Sequence, residues 1–194
     1  MVTTIEVAFV TSNRGKFLEV RSALRPYGIR VRWSRRTLPE PQADTLEEVV
    51  AAKLAAAGPS RPAVMVEDSG LFIEALHGFP GVYSSYVYRT IGPSGVLALL
   101  RGRSRRATFR TVAGLRRGRE IILAVGETAG TISTGLRGSG GFGYDPIFVP
   151  EGHRATYAEL TLEEKNELSH RGRAMRALAE RLSQRTLPGG RRRT

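Results

Sequence analysis

The sequence lacks cysteine and long apolar runs, and each absence excludes a class of protein. With no cysteine among its 194 residues, the chain has neither a disulfide framework nor a thiolate metal site. No segment approaches the roughly 20 apolar residues that span a bilayer. The first apolar run, residues 5–10, contains Glu6 and leads directly into polar residues, unlike an export signal. We therefore expect a cytoplasmic protein without membrane segments.

Lysine is scarce, although the chain is strongly basic. The 30 basic residues include only three lysines, and the net charge is +12. Residues 101–119 hold eight arginines and no acid, and residues 171–194 hold eight arginines and one glutamate. A positive surface attracts anionic nucleotides or binds nucleic acid weakly. Because no stacking platform is interleaved with these arginines and no reader motif is present, we expect no specific nucleic-acid partner.

The order of the predicted elements indicates an α/β protein with a mixed sheet. Strands and helices alternate early in the chain, and two long strands follow at residues 107–115 and 120–133. The length suits one domain, which we place at residues 1–187. Residues 188–194 form a basic tail that we expect to lack structure.

Two helices carry capping signals at their starts. One is predicted to begin near Asp44, with Glu47 three residues later. The last helical region is predicted to begin near Thr161, with Glu164 as its capping partner, and to continue through Leu182.

Two carboxylates and a hydroxyl follow a short apolar run. Residues 63–66 are predicted to form a buried strand that stops before Glu67, Asp68 and Ser69. Ligands of α/β proteins bind at strand ends, and paired carboxylates there favour a magnesium and phosphate site. The alternative is a helix cap or an acidic turn.

A polar turn separates the first strand from the first helix, at residues 11–16. Its backbone amides and the positive end of the helix would receive phosphate oxygens, with Asn13 and Lys16 as further donors. It is not a Walker loop, which needs glycine in place of Val10 and serine or threonine in place of Phe17. The alternative is an ordinary capped turn.

Residues 138–143 match the dinucleotide-binding pattern G-x-G-x-x-G but lack its context. That pattern lies between a strand and a helix, whereas here a proline and strand-forming residues follow. We predict a glycine-rich loop that presents Phe142, Tyr144 and Asp145, because aromatic faces stack on a planar base. The alternative is a bent strand with aromatic core residues.

A cation, an imidazole and a guanidinium lie close together near the C-terminus. Lys165, His170 and Arg171 have the donors to bind a purine carbonyl and phosphate oxygens. The alternative is that Ser169 caps a helix and the others face solvent. The other two histidines, His77 and His153, have no ligand-spaced partner, so we expect no zinc site.

In combination, these clusters resemble the inosine/xanthosine triphosphate pyrophosphatase family from about residue 5 to residue 183. The similarity is carried by five blocks in the family's order: residues 11–20, 67–71, 78–84, 141–146 and 169–171. The resemblance implies hydrolysis of ITP, dITP or XTP to the monophosphate and pyrophosphate, with Mg²⁺ as cofactor. It also implies a two-lobed α/β fold with a long mixed central sheet flanked by helices, an active-site cleft between the lobes, and a homodimer.

The resemblance also implies roles for individual residues. Glu40 and Asp68 would hold the magnesium, and Asp68 would also be the catalytic base. The residues implied to bind the triphosphate are Thr11, Ser12, Asn13, Arg14, Gly15, Lys16 and Ser69. Those implied to surround the base and sugar are Phe142, Gly143, Tyr144, Asp145, Lys165, His170 and Arg171. Lys53 matches the family loosely and is left out of this assignment.

Two functions of other classes remain open at this point. The arginine-rich segments could bind nucleic acid, or the pocket could sense a nucleotide without hydrolysing it. Products formed from ITP, XTP, ATP and GTP in the presence of magnesium would distinguish the three.

Overall fold

The computed structural model describes residues 5–59 and 61–186. Within them, the strands are β1 (Ile5–Val10), β2 (Ile29–Ser34), β3 (Ala63–Ile73), β4 (Pro80–Gly81), β5 (Arg106–Arg117), β6 (Glu120–Ile132) and β7 (Phe148–Pro150). They form one open sheet in the order β2-β1-β3-β5-β6-β7, with β4 paired to β3. β1 is parallel to β2 and β3, whereas the remaining pairs are antiparallel, so the predicted mixed sheet is confirmed.

Helices cover both faces of the sheet. They are α1 (Arg14–Leu24), α2 (Leu46–Ala57), α3 (Ser84–Thr90), α4 (Gly92–Leu99), α5 (Leu162–Leu168) and α6 (His170–Thr186). The apolar sides of α1 and α6 pack on one face, where Val20 and Leu178 meet Met65. On the other face, Leu54 of α2 packs with Val66. No helix in the described part of the chain is long and apolar enough to cross a membrane.

The long strands extend beyond both helical layers into a second apolar cluster. There the far ends of β3 and β5 pack with α3, α4 and β7, through residues such as Ile73, Val87, Val96, Phe109 and Phe148. The sheet thus joins two packed regions, which agrees with the two-lobed α/β fold that the resemblance implies.

The predicted end of a strand at Val66 is wrong. β3 continues to Ile73 because β5 pairs with it along nearly its whole length, from Val64 opposite Arg116 to Ile73 opposite Ala107. The two acids therefore lie in the middle of a strand and not in a turn.

The capping signals were predicted with mixed success. The N-cap of α2 is Thr45, whose capping-box partner is Glu48, so the predicted pair is displaced by one residue. Thr161 and Glu164 form the predicted capping box of α5. The last helical region is two helices, because Ser169 between them has an extended backbone (φ −78°, ψ 155°). The predicted domain boundary after residue 187 and the tail at 188–194 lie outside the described residues.

The structure also shows the conformation of two glycine-containing segments that the sequence singled out, residues 138–143 and residues 78–84. Residues 138–143 lead into a 3-10 turn at Asp145–Ile147 and then into β7, so the dinucleotide-binding context is indeed missing. Pro80–Gly81, in the block at residues 78–84, pairs briefly with β3 as β4.

Candidate active site

A cavity of about 800 Å³ opens between the two packed regions. It lies beside the middle of β3, the turn before α1, the loop after β2, and α3. Most of the predicted site residues line it, namely Thr11, Ser12, Asn13, Lys16, Glu40, Asp68, Ser69, Phe142, Gly143, Tyr144, Asp145, His170 and Arg171. Arg14, Gly15 and Lys165 lie nearby but are not part of its lining.

The two adjacent acids of β3 have partners on opposite sides of the sheet. Successive side chains of a strand point to opposite faces. Met65 belongs to the core of α1 and α6, and Glu67, two residues later, pairs with Lys16 of α1. Val66 belongs to the core of α2, and Asp68, two residues later, contacts α2 in turn. The strand period therefore gives two neighbouring carboxylates separate surroundings.

On the α2 side, Glu40, Lys53 and Asp68 form what we call the open cluster. Lys53 Nζ donates hydrogen bonds to Asp68 Oδ1 at 2.6 Å and to Glu40 Oε1 at 2.8 Å. The Glu40 side chain is 56% exposed, whereas that of Lys53 is 8% exposed. Because Glu40 Oε1 and Asp68 Oδ1 bind the same nitrogen, these two oxygens are separated by no more than the sum of the two hydrogen-bond distances.

The charges of the open cluster shift its pKa values in different directions. Burial raises the pKa of Asp68, and the nearby charges of Lys16 and Lys53 oppose that effect. Burial would also raise the pKa of Glu40, but the hydrogen bond to Lys53 and the nearby positive charges together outweigh burial and lower it. Burial would lower the pKa of Lys53, yet the two carboxylates raise it, so its ammonium stays charged.

The open cluster has the donor chemistry for a hard divalent cation. Glu40 and Asp68 present carboxylate oxygens on either side of the Lys53 ammonium, and Mg²⁺ prefers oxygen ligands while keeping several waters. No group of three or more acidic or histidine side chains suited to a metal occurs among residues 5–59 and 61–186. An ion held by Glu40 and Asp68 would therefore complete its coordination with water or with oxygens of a bound molecule.

On the opposite side of β3, Glu67 joins three other polar side chains. It pairs with Lys16 at 2.6 Å and with Arg171 Nε at 3.4 Å, and it accepts a hydrogen bond from Ser69 Oγ at 2.7 Å. Burial would raise the pKa of Glu67, but the charges of Lys16 and Arg171 outweigh it and hold the pKa well below its usual value. Glu67 therefore holds two cations at the cavity wall.

The turn before α1 is a capped turn that still offers donors. Asn13 Oδ1 accepts from the Lys16 amide at 3.0 Å, and Thr11 Oγ1 accepts from the Asn13 amide at 3.1 Å. The first amides of a helix have no acceptor within the helix. Those of Arg14 and Gly15 thus belong to the positive end of α1, where anions bind.

At one wall of the cavity, four charged residues form what we call the buried cluster: Glu19, Asp145, Lys165 and Arg171. Lys165 Nζ donates to Glu19 Oε1 at 2.6 Å and to Asp145 Oδ2 at 2.5 Å. Arg171 donates to Glu19 Oε2 at 2.5 Å and to Ser69 Oγ at 3.0 Å. All four side chains are at most 5% exposed, so the ion pairs satisfy charges that would otherwise be costly to bury.

Rings complete the walls near the buried cluster. Phe142 lies over Lys165 Nζ, 4.9 Å from the ring centroid, and a Cβ on Gly15 would collide with the same ring. His170 is buried and stacks on Phe109 with centroids 4.4 Å apart. Burial lowers the pKa of His170 well below its usual value, so its imidazole is neutral at pH 7.

Tyr144 and the Ser169 cap have structural contacts. Tyr144 is 4% exposed and its hydroxyl donates to the Ser84 carbonyl at 3.1 Å, so the alternative of a core aromatic describes it well. Ser169 Oγ accepts from the Gly172 amide at 3.1 Å, as the helix-cap alternative predicts. Lys165, His170 and Arg171 nevertheless are buried and do not face solvent.

Sequence reasoning missed Glu19 and left Lys53 out. It also grouped Glu67 with Asp68 at a magnesium site, whereas Glu67 has its partners on the other side of β3. Glu19 is 146 residues from Lys165, and nothing local marks it as a partner. For Lys53 the sequence did contain an indication, namely the scarcity of lysine, which was not used. The chain has three lysines among 30 basic residues, and all three of them contact the acids around this cavity.

Comparison with known proteins places this chain in one family. The chain is 51% identical to the dITP/XTP pyrophosphatase of Thermococcus kodakarensis, over 93% of this chain and 98% of that protein. It is 50% identical to the protein of the same name from Pyrococcus horikoshii, over 91% and 96% of the two chains. Among solved structures, a HAM1 protein from Coxiella burnetii matches with a TM-score of 0.77 and 30% identity, over 93% and 99% of the chains. A model of the Ham1 family matches residues 7–181, and the chain therefore belongs to the Ham1 family.

Proposed function

We propose that this protein hydrolyses deaminated purine nucleoside triphosphates, dITP and XTP among them, to the monophosphate and pyrophosphate. The names of its relatives support that substrate class. The observation that carries the proposal is the arrangement of one cavity. The open cluster, the α1 turn and the buried cluster all border this cavity, and we assign them to the reacting phosphate, the remaining phosphates and the base, respectively.

Glu40 and Asp68 would hold Mg²⁺, which when bound supplies positive charge against the phosphate oxygens and a polarised water. Asp68 is the base that takes a proton from the attacking water, and burial brings its pKa closer to the working range of a base. Lys53 keeps Asp68 oriented through their 2.6 Å hydrogen bond.

The phosphate chain would lie along the turn before α1. The free amides at the start of α1, the Asn13 side chain and Lys16 supply donors and positive charge. Ser69 is the further phosphate ligand from β3. Glu67 holds Lys16 and Arg171 in place on the neighbouring wall.

Discrimination between purines would take place at the buried cluster and the neutral His170. A 6-keto oxygen accepts hydrogen bonds from Lys165 or Arg171, whereas the amino group of adenine leaves buried donors unpaired. Phe142 offers a ring face to the base and Asp145 accepts from the base or sugar. The cluster is held in shape before any nucleotide binds, because Glu19 and Asp145 pair its cations.

The proposal includes a cytoplasmic homodimer. The absence of cysteine is consistent with a reducing compartment. A stripe of apolar side chains on the solvent side of β6, Ile121, Leu123 and Val125, is 36% to 47% exposed and would be covered in a dimer. Sedimentation equilibrium of the purified chain measures this directly.

The test of the main proposal is a product assay with magnesium and a panel of dITP, XTP, ITP and ATP. We expect equal amounts of nucleoside monophosphate and pyrophosphate from dITP and XTP. We expect kcat/KM for ATP to be at least about a hundredfold lower, since its amino group cannot satisfy the buried donors. Release of orthophosphate, or ATP turnover equal to that of XTP, would contradict the proposal. Nucleotide binding without products would indicate a sensor instead.

A further inference from the structure

The only tryptophan of the chain lies beside the turn that would bind phosphate. Trp33 is on β2, the neighbour of β1, and its indole Nε1–H donates to the Thr11 carbonyl at 2.8 Å. The Thr11 amide in turn donates to the Ser34 carbonyl at 3.1 Å. β2 thus fixes both the amide and the carbonyl of Thr11, the first residue of the turn.

The indole is itself held rigidly by two neighbours. It stacks on Phe17 of α1 with ring centroids 4.8 Å apart and planes 9° apart. The Arg35 guanidinium also lies over the ring, 4.8 Å from its centroid. A donor held in this way loses little conformational freedom when it makes its hydrogen bond.

Fixing Thr11 has consequences for the rest of the turn. Thr11 Oγ1 accepts from the Asn13 amide, and Asn13 Oδ1 accepts from the Lys16 amide. The orientation of Thr11 is therefore passed to the N-cap of α1 and to the amides that follow it. A carbonyl turned toward Trp33 is also turned away from an incoming anion, which it would repel.

We propose that Trp33 is a positioning residue, whose indole N–H orients the turn at residues 11–16 for binding the pyrophosphate portion of the substrate. This inference rests on the proposed function for its ligand, an inorganic or nucleotide-bound pyrophosphate group. It goes beyond that function in assigning a task to an edge-strand residue that contacts the turn and does not line the cavity.

The test is Trp33→Phe, which keeps an aromatic ring next to Phe17 and Arg35 and removes the indole N–H together with the smaller ring. The Kd for inorganic pyrophosphate, measured calorimetrically with magnesium, is expected to rise about fivefold, as is KM for XTP, while kcat is nearly unchanged. Arg35→Ala is the matched control, because it removes the outer stacking partner and keeps the N–H. Because the N–H remains, Arg35→Ala should raise the Kd for pyrophosphate clearly less than Trp33→Phe does.

A second measurement uses wild-type protein and needs no variant. Because Trp33 is the only tryptophan, pyrophosphate should change its fluorescence emission, with a midpoint equal to the calorimetric Kd. Equal values of Kd in Trp33→Phe and wild type, or wild-type emission that ignores saturating pyrophosphate, would overturn the inference. Pyrophosphate binding that depends on Trp33, in a protein that does not hydrolyse XTP, would uphold the inference and reject the proposed function.

Discussion

The open cluster and the buried cluster use the same chemistry in opposite surroundings. In each, a lysine bridges two carboxylates at hydrogen-bond distance. In the open cluster one acid, Glu40, has a side chain that is 56% exposed, whereas the side chains of the buried cluster are at most 5% exposed. A buried network is rigid and dry, while a half-exposed one admits water and ions.

This difference matches the two tasks that we propose for the clusters. Water and a metal ion must reach the bond that breaks, so its acids cannot all be sealed in the core. Recognition of a purine edge requires donors that are already desolvated, because only then does a mismatched base leave a costly unpaired group. The same residue types therefore take different roles through their depth in the fold.

The largest expected effect is on turnover, in the open cluster. Asp68→Asn keeps the size of the side chain but removes the base, so we expect kcat for XTP to fall by about 10² to 10⁴. Lys53 keeps its hydrogen bond to Glu40, and the thermal unfolding transition should stay close to that of wild type. The control is Asp44→Asn, at an exposed acid, which should leave turnover unchanged. Near-normal turnover of Asp68→Asn would show that Asp68 is not the catalytic base.

A substitution in the buried cluster should instead act on stability. Glu19→Gln takes one carboxylate from both Lys165 and Arg171, which keep only Asp145 and Glu67 as acidic partners. We expect the free energy of unfolding in urea to fall by about 3 kcal/mol, because cations that remain buried lose compensation. Glu151→Gln, at an exposed acid, should change it little. A Glu19→Gln variant as stable as wild type would show that the two clusters do not differ as described.

At Glu67, which lies between the two clusters, we expect a smaller effect on stability, and one that depends on pH. Its pKa is lowered in the folded protein, because the charges of Lys16 and Arg171 outweigh burial. Such a carboxylate contributes stability that is complete above its unfolded pKa, near 4.5, and is lost as the pH falls toward the folded value. Below pH 4.5, wild type should therefore lose stability faster than Glu67→Gln, by up to about 1.4 kcal/mol per pH unit.

Urea unfolding at several pH values below 4.5 measures the two slopes. The same comparison at neutral pH serves as the control, because both proteins should then have stabilities that hardly depend on pH through this group. Parallel slopes in acid would mean that Glu67 is not held in its charged form by its neighbours.

Much of the fold could be predicted from local patterns, whereas the site could be predicted only in part. The capping box of Thr161 and Glu164 and the pair of long strands follow from short-range signals that local structure obeys. The continuation of β3 past Val66 could not be predicted in this way. Glu67, Asp68 and Gly70 have low strand propensity, and the two acids are tolerated because distant residues pair with them. Those partners, Lys16 and Lys53, lie on helices elsewhere in the sequence.

The buried cluster shows the same limit more strongly. Lys165 and Arg171 could be singled out from a compact sequence block, but the block does not tell which acid neutralises them. Glu19 is one of several acids in the first quarter of the chain, and only the packing of α1 against α5 and α6 brings it to them.

The alternating faces of β3 have a consequence for folding errors. A slip of β3 by one residue against β5 would move Glu67 and Asp68 to opposite sides of the sheet, so that each acid would lose its own lysine and at most one could reach the other's. Such a molecule would keep its strands and helices. Asp68, however, would not be positioned as the base, and Glu67 would not hold Lys16 and Arg171 at the cavity wall. Correct strand alignment over some ten residues is thus as much a condition for catalysis in this protein as the identity of its acids.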